Sequence, residues 1–246
     1  MAAKTRKDAI YVVYEGYREE YFLEHLSGFS TVHLNLAPCY GGNANEIVAK
    51  GKSISARDVN VYIFFDEDFE KMSGYKISDE TFAGLETAWR INTPLKELAY
   101  RDLQKMNKDM RNPILIVSYP KSIEGFILRL LNEPLQVLER KTTQELKERI
   151  SNLLVNIQPR NEDIIKMDNY DRKIAKYKQE IAGLRQSEPN YKERRRFLGE
   201  KTKECERNKN KVKFMRFLND KLPLPKLAAK RAGIPEVDVL LKAFGM

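Results

Sequence analysis

Three carboxylate residues of this sequence follow directly after apolar runs that are typical of buried strands. Glu15 follows the run 10–14, and Asp66 and Asp68 follow the run 59–65. Functional groups in an open parallel sheet collect at the carboxyl ends of the strands, so we expect these acids to lie close together. Crowded carboxylates raise one another's pKa, and a divalent cation removes the repulsion. An all-oxygen set of ligands favours Mg²⁺ or Mn²⁺.

The chemistry that such a site predicts is hydrolysis of a phosphodiester bond. A metal held by carboxylates can lower the pKa of a bound water or clamp the attacking and leaving oxygens. Glu124 opens a predicted helix and can reach the same edge of the sheet. Lys121, just before it, could contact a phosphate. Glu19 faces the same side of its predicted helix as Glu15, so it is either a further ligand or a surface acid.

Strands and helices that could position these residues alternate through the first half of the chain. The predicted strands are 10–14, 32–36, 59–65 and 114–118, and the predicted helices are 18–26, 43–50 and 122–131. The polar segment 70–112 interrupts the alternation, and we interpret it as an insertion between the third and fourth strands. This order predicts an α/β domain over residues 1–135 with a mostly parallel, four-stranded sheet and flanking helices.

Residues 136–246 contain no convincing strand and predict an all-helical region. Apolar residues recur at coiled-coil spacing over 167–184, and the repeat resumes every seven residues over 191–218. The segment 187–190 breaks the repeat. Two heptad helices joined by a tight turn predict an antiparallel helical hairpin over about residues 162–220. Its apolar seam could close within one chain or pair two chains, so a homodimer is possible.

Charge is divided unequally between the two halves of the chain. Residues 1–140 hold 18 Lys and Arg against 20 Asp and Glu, whereas residues 141–246 hold 26 against 15. A basic surface attracts phosphate polyanions, so the second half is expected to meet nucleic acid. Arg194, Arg195 and Arg196 are candidate nucleic-acid contacts, with ordinary helix-surface charges as the alternative.

Several classes of protein are disfavoured by composition. Cys39 and Cys205 are far apart, and His25 and His33 are the only histidines. This argues against a disulfide framework, a zinc site and histidine-based catalysis. No apolar run approaches the roughly 20 residues that a membrane span needs, and residues 1–8 lack the apolar stretch of a signal peptide. We therefore expect a cytoplasmic protein with no membrane contact.

These motifs resemble the Toprim domain of primases, topoisomerases and several nucleases. The family signature is Glu-Gly after the first strand and Asp-x-Asp after the third, which correspond here to 15–16 and 66–68. Within that superfamily the chain most resembles the small Toprim proteins of bacterial anti-phage systems, of the RloB and AriB kind, which are related to the OLD-family nucleases. The resemblance covers about residues 9–131 and rests on Val13-Tyr14-Glu15-Gly16 with Glu19 and Tyr21-Phe22, on Phe65-Asp66-Glu67-Asp68, and on Ser122-Ile123-Glu124-Gly125-Phe126.

The resemblance implies a function and a role for each acid. Glu15 would be a metal ligand or the general acid/base, and Asp66 and Asp68 would be metal ligands. Glu124 would match the additional acid that nuclease-type members use for a second metal. Such proteins work beside an ATPase that senses infection, and their targets include DNA and tRNA.

One departure from the family pattern favours its nuclease branch. Position 70 is Glu, where topoisomerases and primases have a third Asp, and neither a topoisomerase nucleophile-bearing domain nor a primase zinc module is recognisable. The sequence thus predicts a Mg²⁺-dependent endonuclease that is a toxic defence effector. The alternative is a non-catalytic adaptor that binds nucleic acid or an ATPase through the basic hairpin.

Overall fold

A computed structural model of the chain describes residues 9–40, 50–51, 53–54, 60–66, 114–118, 120–187 and 189–246. Asp68 and the predicted insertion 70–112 lie outside the described residues. Of the predicted helix 43–50, only Lys50 is described, and it is helical.

The described strands form a parallel sheet. They are β1 (Ala9–Tyr14), β2 (His33–Pro38), β3 (Asn60–Asp66) and β4 (Ile114–Ser118). Their order is β2-β1-β3-β4, and each neighbouring pair is parallel. The four strands therefore end at one edge, where Asp66 is the register partner of Ser118. The predicted α/β class with a parallel sheet is confirmed.

Aromatic packing fixes two helices on the sheet. The helices are α1 (Tyr17–Ser27) and α2 (Ile123–Leu130). Phe22 of α1, Phe64 of β3 and Phe126 of α2 are fully buried, and their ring centroids are 5.8–6.4 Å apart. Each such burial contributes roughly 1.5–3 kcal/mol. Because α1 follows β1 and α2 follows β4 after short turns, this aromatic cluster holds the first turns of both helices near the carboxyl edge.

Two short helical segments continue the chain towards the hairpin. They are α3 (Leu135–Glu139) and α4 (Thr143–Val155). Their inward positions, Leu138, Leu146 and Ile150, are completely buried. The chain then enters two long helices, α5 (Asn161–Gly183) and α6 (Tyr191–Lys221).

Ion pairs between α5 and α6 show that the two helices are antiparallel. Asp171 is 2.6 Å from Lys209, and Lys178 is 3.5 Å from Glu206, so later positions on α5 meet earlier positions on α6. Leu198 and Cys205 of the predicted seam are buried. Most of the other seam residues are only half-buried, because a pair of helices cannot enclose a complete core.

The last helices, α7 (Leu224–Ala229) and α8 (Pro235–Ala243), return to the sheet. The carbonyl oxygen of Phe244 accepts hydrogen bonds from Thr31 N at 3.2 Å and Ser30 Oγ at 2.9 Å. His25 Nε2 lies 2.8 Å from the carbonyl oxygen of Leu222. These contacts join the end of the chain to α1 and to the loop before β2.

The chain divides into two compact units. The sheet unit comprises Met1–Ser151 with Lys221–Met246, and the hairpin unit comprises Asn152–Asp220. The sheet unit extends beyond residue 135, where the sequence ends the predicted Toprim-like domain, and that domain boundary stays a prediction. None of the described helices is both long enough and apolar enough to cross a membrane.

Candidate acidic site at the sheet edge

A glutamate carboxylate folds back over a glycine at the start of α1. Gly16 is the N-cap residue, with an extended backbone, and Glu19 is the third residue of the helix. Glu19 is only 4 % exposed, and a Cβ atom added at Gly16 would lie 2.6 Å from Glu19 Oε2. The glycine of the Glu15-Gly16 motif therefore leaves the room that the Glu19 carboxylate occupies.

Asp66 is held at the end of β3 by the neighbouring strand and helix. Its Oδ1 accepts a hydrogen bond from Ser118 Oγ at 2.5 Å and another from the backbone N–H of Ile123 at 2.7 Å. Ile123 is the first residue of α2, so the Asp66 carboxylate lies at the positive end of that helix. The aspartate that the sequence places at a strand end is thus held in place by hydrogen bonds while its side chain stays half-buried.

Glu124 lies in the first turn of α2 and is 2 % exposed. Its Oε1 is 2.5 Å from Arg18 Nη1. Its Oε2 has no hydrogen-bond partner among the described residues, and the same holds for the buried Ser122 Oγ in that turn. Leaving a buried polar atom unsatisfied costs about 1–3 kcal/mol, which a bound ion or water would offset.

Glu19 connects these acids into one cluster. It shares a hydrogen bond with Asp66, and it is close enough to Glu124 and Glu15 for their charges to act on it. Burial above all, and then those two charges, raise the pKa of Glu19 to about 7 against the lowering effect of its hydrogen bonds. A hydrogen bond between two carboxyl groups needs one proton, which this raised pKa helps to retain near neutrality. We call Glu15, Glu19, Asp66 and Glu124 the acid cluster.

The structure brings three of the predicted site residues together. Glu15, Asp66 and Glu124 belong to the cluster, whereas Asp68 lies outside the described residues. Lys121 belongs to the same unit, and its Nζ donates a hydrogen bond to the carbonyl oxygen of Lys141. Its predicted contact with phosphate stays a prediction.

The predicted nucleic-acid arginines are on α6, in the hairpin unit, and all three are exposed. Arg195 Nη1 donates a hydrogen bond to the hydroxyl of Tyr191 at 2.8 Å, and Arg196 Nε is 3.8 Å from Glu200. Such contacts along one helix are worth only a few tenths of a kcal/mol, so they leave the arginines accessible to a partner.

The sequence interpretation of Glu19 needs a correction. A surface position was one of its two alternatives, and that alternative is wrong, because the first turn of α1 faces the buried edge of the sheet. Arg18, Ser118 and Ser122 were not recognised as site residues. A glycine followed three residues later by a glutamate was the available signal for Glu19. No pattern in the sequence predicts the Arg18–Glu124 pair, since its partners are 106 residues apart.

A hard cation fits the cluster by the type of its donor atoms. The available atoms are carboxylate oxygens with the Ser122 hydroxyl, and the unsatisfied Glu124 Oε2 is among them. The side chains as described do not bring three His, Cys, Asp or Glu residues into a group that could hold a metal. Arg18 and the hydrogen bonds of Asp66 occupy part of the ligand set. Residues that could contribute to holding a cation are therefore Ser122, Glu124, Asp66 and Glu15.

Tyrosine side chains flank the end of β1. The rings of Tyr17 and Tyr40 are stacked with centroids 4.2 Å apart, and the Tyr40 hydroxyl donates a hydrogen bond to Glu20. Burial raises the pKa of Tyr14 to about 12, so this hydroxyl stays protonated at neutral pH. Tyr14 is therefore unsuited to act as a general base for the site.

Comparison of the chain with protein-family models, with curated proteins and with solved structures finds no match. The resemblance to Toprim proteins consequently rests on the motif residues and on their positions in the chain.

Proposed function

We propose that the acid cluster is the active site of a Toprim-type endonuclease that uses Mg²⁺ or Mn²⁺ to hydrolyse phosphodiester bonds of tRNA or DNA. The observation that carries this proposal is the meeting of Glu19, Asp66 and Glu124 at the carboxyl edge of a parallel sheet. Charge repulsion and burial make such a group of acids costly unless a ligand compensates for it. The unsatisfied Glu124 Oε2 supports a bound cation, because hard cations are coordinated by oxygen atoms.

Each residue of the cluster has a role suited to its environment. Glu124 and Asp66 are held by hydrogen bonds and would be ligands, and the family resemblance adds Asp68 as a proposed ligand. Glu15 is less buried than Glu19, so substrate and solvent reach it more easily. Arg18 is 29 % exposed and could neutralise a phosphate oxygen. A bound cation would supply an activated water and offset charge on the phosphate.

The biological setting follows from the family resemblance and from charge. We propose that the chain is a toxic effector of a bacterial anti-phage system and that a partner ATPase controls it in the cytoplasm. The net charge of +11 over residues 141–246 supports contact with nucleic acid or with an acidic partner surface. A homodimer through the hairpin is compatible with the half-buried seam.

Cleavage assays on tRNA and DNA, in Mg²⁺, in Mn²⁺ and in EDTA, test the proposal. Glu15→Ala and Glu124→Gln are expected to reduce cutting roughly 100-fold or more. Glu236→Gln is the matched control, because Glu236 is also a buried glutamate paired with an arginine, at 3.3 Å from Arg129. It lies on α8, outside the acid cluster, and its substitution is expected to leave the rate unchanged. Cutting by Glu15→Ala at the wild-type rate would contradict the assignment.

A non-catalytic adaptor is the second candidate, and a specific observation favours it. Arg18 compensates the charge of Glu124, and a proton shared between Glu19 and Asp66 reduces their repulsion. The negative charge of the cluster is therefore partly compensated without a metal. Titration with Mg²⁺ separates the two functions. An adaptor shows no Mg²⁺-dependent rise in thermal stability and no toxicity on expression. The nuclease shows both, and Glu124→Gln loses them while Glu236→Gln does not.

A further inference from the structure

A cavity of about 560 Å³ lies between the two helices of the hairpin unit. Residues 160–170 of the α5 side and residues 208–219 of α6 line it. Its volume falls within the range of pockets that bind small organic ligands. We call it the hairpin groove.

The hairpin groove lies along one part of the heptad seam. Leu198 and Cys205 are buried between the helices. Val212 and Met215, further along the same repeat, are half-buried and line the groove instead. The sequence predicts a seam through residue 218, and Leu218 is completely buried, so the groove runs beside this part of the seam.

Cationic side chains converge on the groove from both helices. They are Arg160, Lys166, Lys211 and Arg216. Lys166 makes no ion pair or hydrogen bond within the part of the chain that the structure describes. Arg216 Nε is buried and makes no hydrogen bond to a described residue, although an Asp220 oxygen is 3.0 Å away. A buried guanidinium N–H without an aligned acceptor is a group that an anionic ligand would satisfy.

Acidic residues of the groove offset only part of this charge. Glu162 and Asp163 are the acids in its lining, against four cations. The Asp163 carboxylate also accepts a hydrogen bond from the backbone N–H of Arg160 at 3.1 Å, which caps α5. The net charge of the lining is therefore positive, and it stays positive when Asp220 beside Arg216 is counted. Phosphate is an anion that lysine and arginine side chains commonly bind.

Aromatic and amide groups complete the lining. Tyr170 is half-buried and offers a ring on which a base could stack. Asn208 and Asn219 carry amide groups of the kind that recognise base edges. Cations, one ring and two amides in a single cavity match a ligand that combines phosphate with a heterocyclic base.

We infer that the hairpin groove binds a nucleoside phosphate, with Lys166, Lys211 and Arg216 on the phosphate and Tyr170 on the base. The nucleoside phosphate is either one nucleotide of a single strand or a free nucleotide. This inference goes beyond the proposed nuclease, because the groove lies in the other unit and needs no metal. It also moves the expected nucleic-acid contact from the arginines 194–196 to the groove.

Binding of a short fluorescein-labelled single-stranded RNA to the full chain in EDTA tests the inference by fluorescence anisotropy. Lys166→Ala with Lys211→Ala is expected to weaken binding about tenfold or more. The matched control is Lys176→Ala with Lys203→Ala, which removes the same charge from exposed positions of the same helices outside the groove. The control is expected to change binding less than about threefold.

A second pair of variants tests stacking without changing charge. Tyr170→Leu is expected to weaken binding about tenfold, within the range for loss of one stacked base. Tyr177→Leu is the control, because Tyr177 is a half-buried seam tyrosine of the same helix that does not line the groove. Thermal unfolding followed by circular dichroism checks that each variant folds. If the double lysine variant fails to fold, the comparison of Tyr170→Leu with Tyr177→Leu tests the inference instead.

Each outcome supports or overturns the inference. Selective loss in the groove variants supports it, and competition by free AMP or ATP then identifies a free nucleotide as the ligand, whereas no competition identifies a strand. Three outcomes overturn the inference. Binding could fall equally in the groove and control variants, or fall only in Arg194→Ala with Arg195→Ala. The third outcome is that neither the labelled RNA nor the free nucleotide binds. Because EDTA removes the cations that the proposed nuclease needs, this binding result does not depend on whether the chain cleaves nucleic acid.

Discussion

Burial decides what each carboxylate of the acid cluster can do. Glu19 and Glu124 are almost completely removed from water, yet they are compensated differently. Glu124 has the Arg18 guanidinium at 2.5 Å, whereas Glu19 meets another carboxyl group, Asp66. The first arrangement stabilises a charge, and the second favours a proton. Side chains of the same chemical type therefore meet a cation at one position and another carboxyl group at the other.

Glu19→Gln is expected to remove a pH-dependent cost to stability in the absence of divalent cations. The folded-state pKa of Glu19 is raised from 4.5 to about 7, mainly by burial. Between those values the folded protein binds more protons than the unfolded chain, so the free energy of unfolding falls as pH rises. Glutamine stays neutral and can still donate to Asp66. The variant should therefore be more stable than wild type above pH 7, on the order of 1–3 kcal/mol, with little difference below pH 4.5.

Urea unfolding in EDTA at about pH 4 and about pH 8 measures this difference. Glu24→Gln is the control, because it makes the same acid-to-amide change on the same helix outside the acid cluster. An equal stability difference at both pH values for Glu19→Gln would mean that packing, rather than the proton, explains the substitution.

At the scale of single elements, two helical glycines have opposite surroundings. A Cβ atom at Gly125 of α2 would lie 2.1 Å from the carbonyl oxygen of Pro120, whereas nothing lies within 4 Å of one at Gly199 of α6. Helix α2 can follow the turn after β4 so closely because residue 125 has no side chain. That close approach places Ile123 N against Asp66 and Glu124 against Arg18.

The same substitution at these two glycines should have opposite effects. Gly125→Ala is expected to destabilise the protein by about 1–3 kcal/mol, because backbone must shift to accept the methyl group. Gly199→Ala is expected to stabilise it by about 0.5–1 kcal/mol, because alanine favours the helix and meets no obstacle. Chemical denaturation of the two variants measures both changes in the free energy of unfolding. Tolerance of alanine at Gly125 would show that α2 is less closely packed on the preceding turn.

At the scale of the whole molecule, acidic chemistry and basic charge belong to different parts of the chain. The acid cluster lies in the sheet unit, whereas Lys166, Lys211 and Arg216 of the hairpin groove lie in the hairpin unit. A polyanionic substrate needs attraction that an acidic site without metal does not supply. In the nuclease proposed above, this division would let the hairpin unit retain nucleic acid while the sheet unit carries out cleavage.

Salt should therefore weaken nucleic-acid binding steeply. If the basic hairpin contacts about four phosphates of a single strand, one of them in the groove, affinity is expected to fall roughly 50-fold between about 50 and 200 mM salt. Anisotropy titrations at several salt concentrations give the slope of log affinity against log salt. The slope should be shallower for Lys166→Ala with Lys211→Ala than for Lys176→Ala with Lys203→Ala. Identical slopes for the two double variants would show that the overall positive charge of the hairpin, rather than the groove, attracts the nucleic acid.

Sequence patterns predicted the elements well where the signal is local. The strand 114–118 and the helix after it follow from continuous apolar runs, and the carboxyl-edge positions of Glu15 and Asp66 follow from strand ends. The heptad repeat predicted two long helices because its period reports one apolar face of each. Such signals depend on neighbours within a few residues, which is why they can be interpreted from the sequence alone.

Contacts between distant parts of the chain depended on the tertiary structure. The burial of Glu19, the pairing of Arg18 with Glu124 and the unsatisfied Glu124 Oε2 arise where α1, β3 and α2 pack together. The cavity lined by α5 and α6 is likewise invisible in a repeat that continues past it. The sequence by itself determined which residue types reach the sheet edge and the hairpin. The packing of elements far apart in the chain decided which of those residues are buried, paired or left to meet a ligand, because desolvation and pairing depend on spatial neighbours.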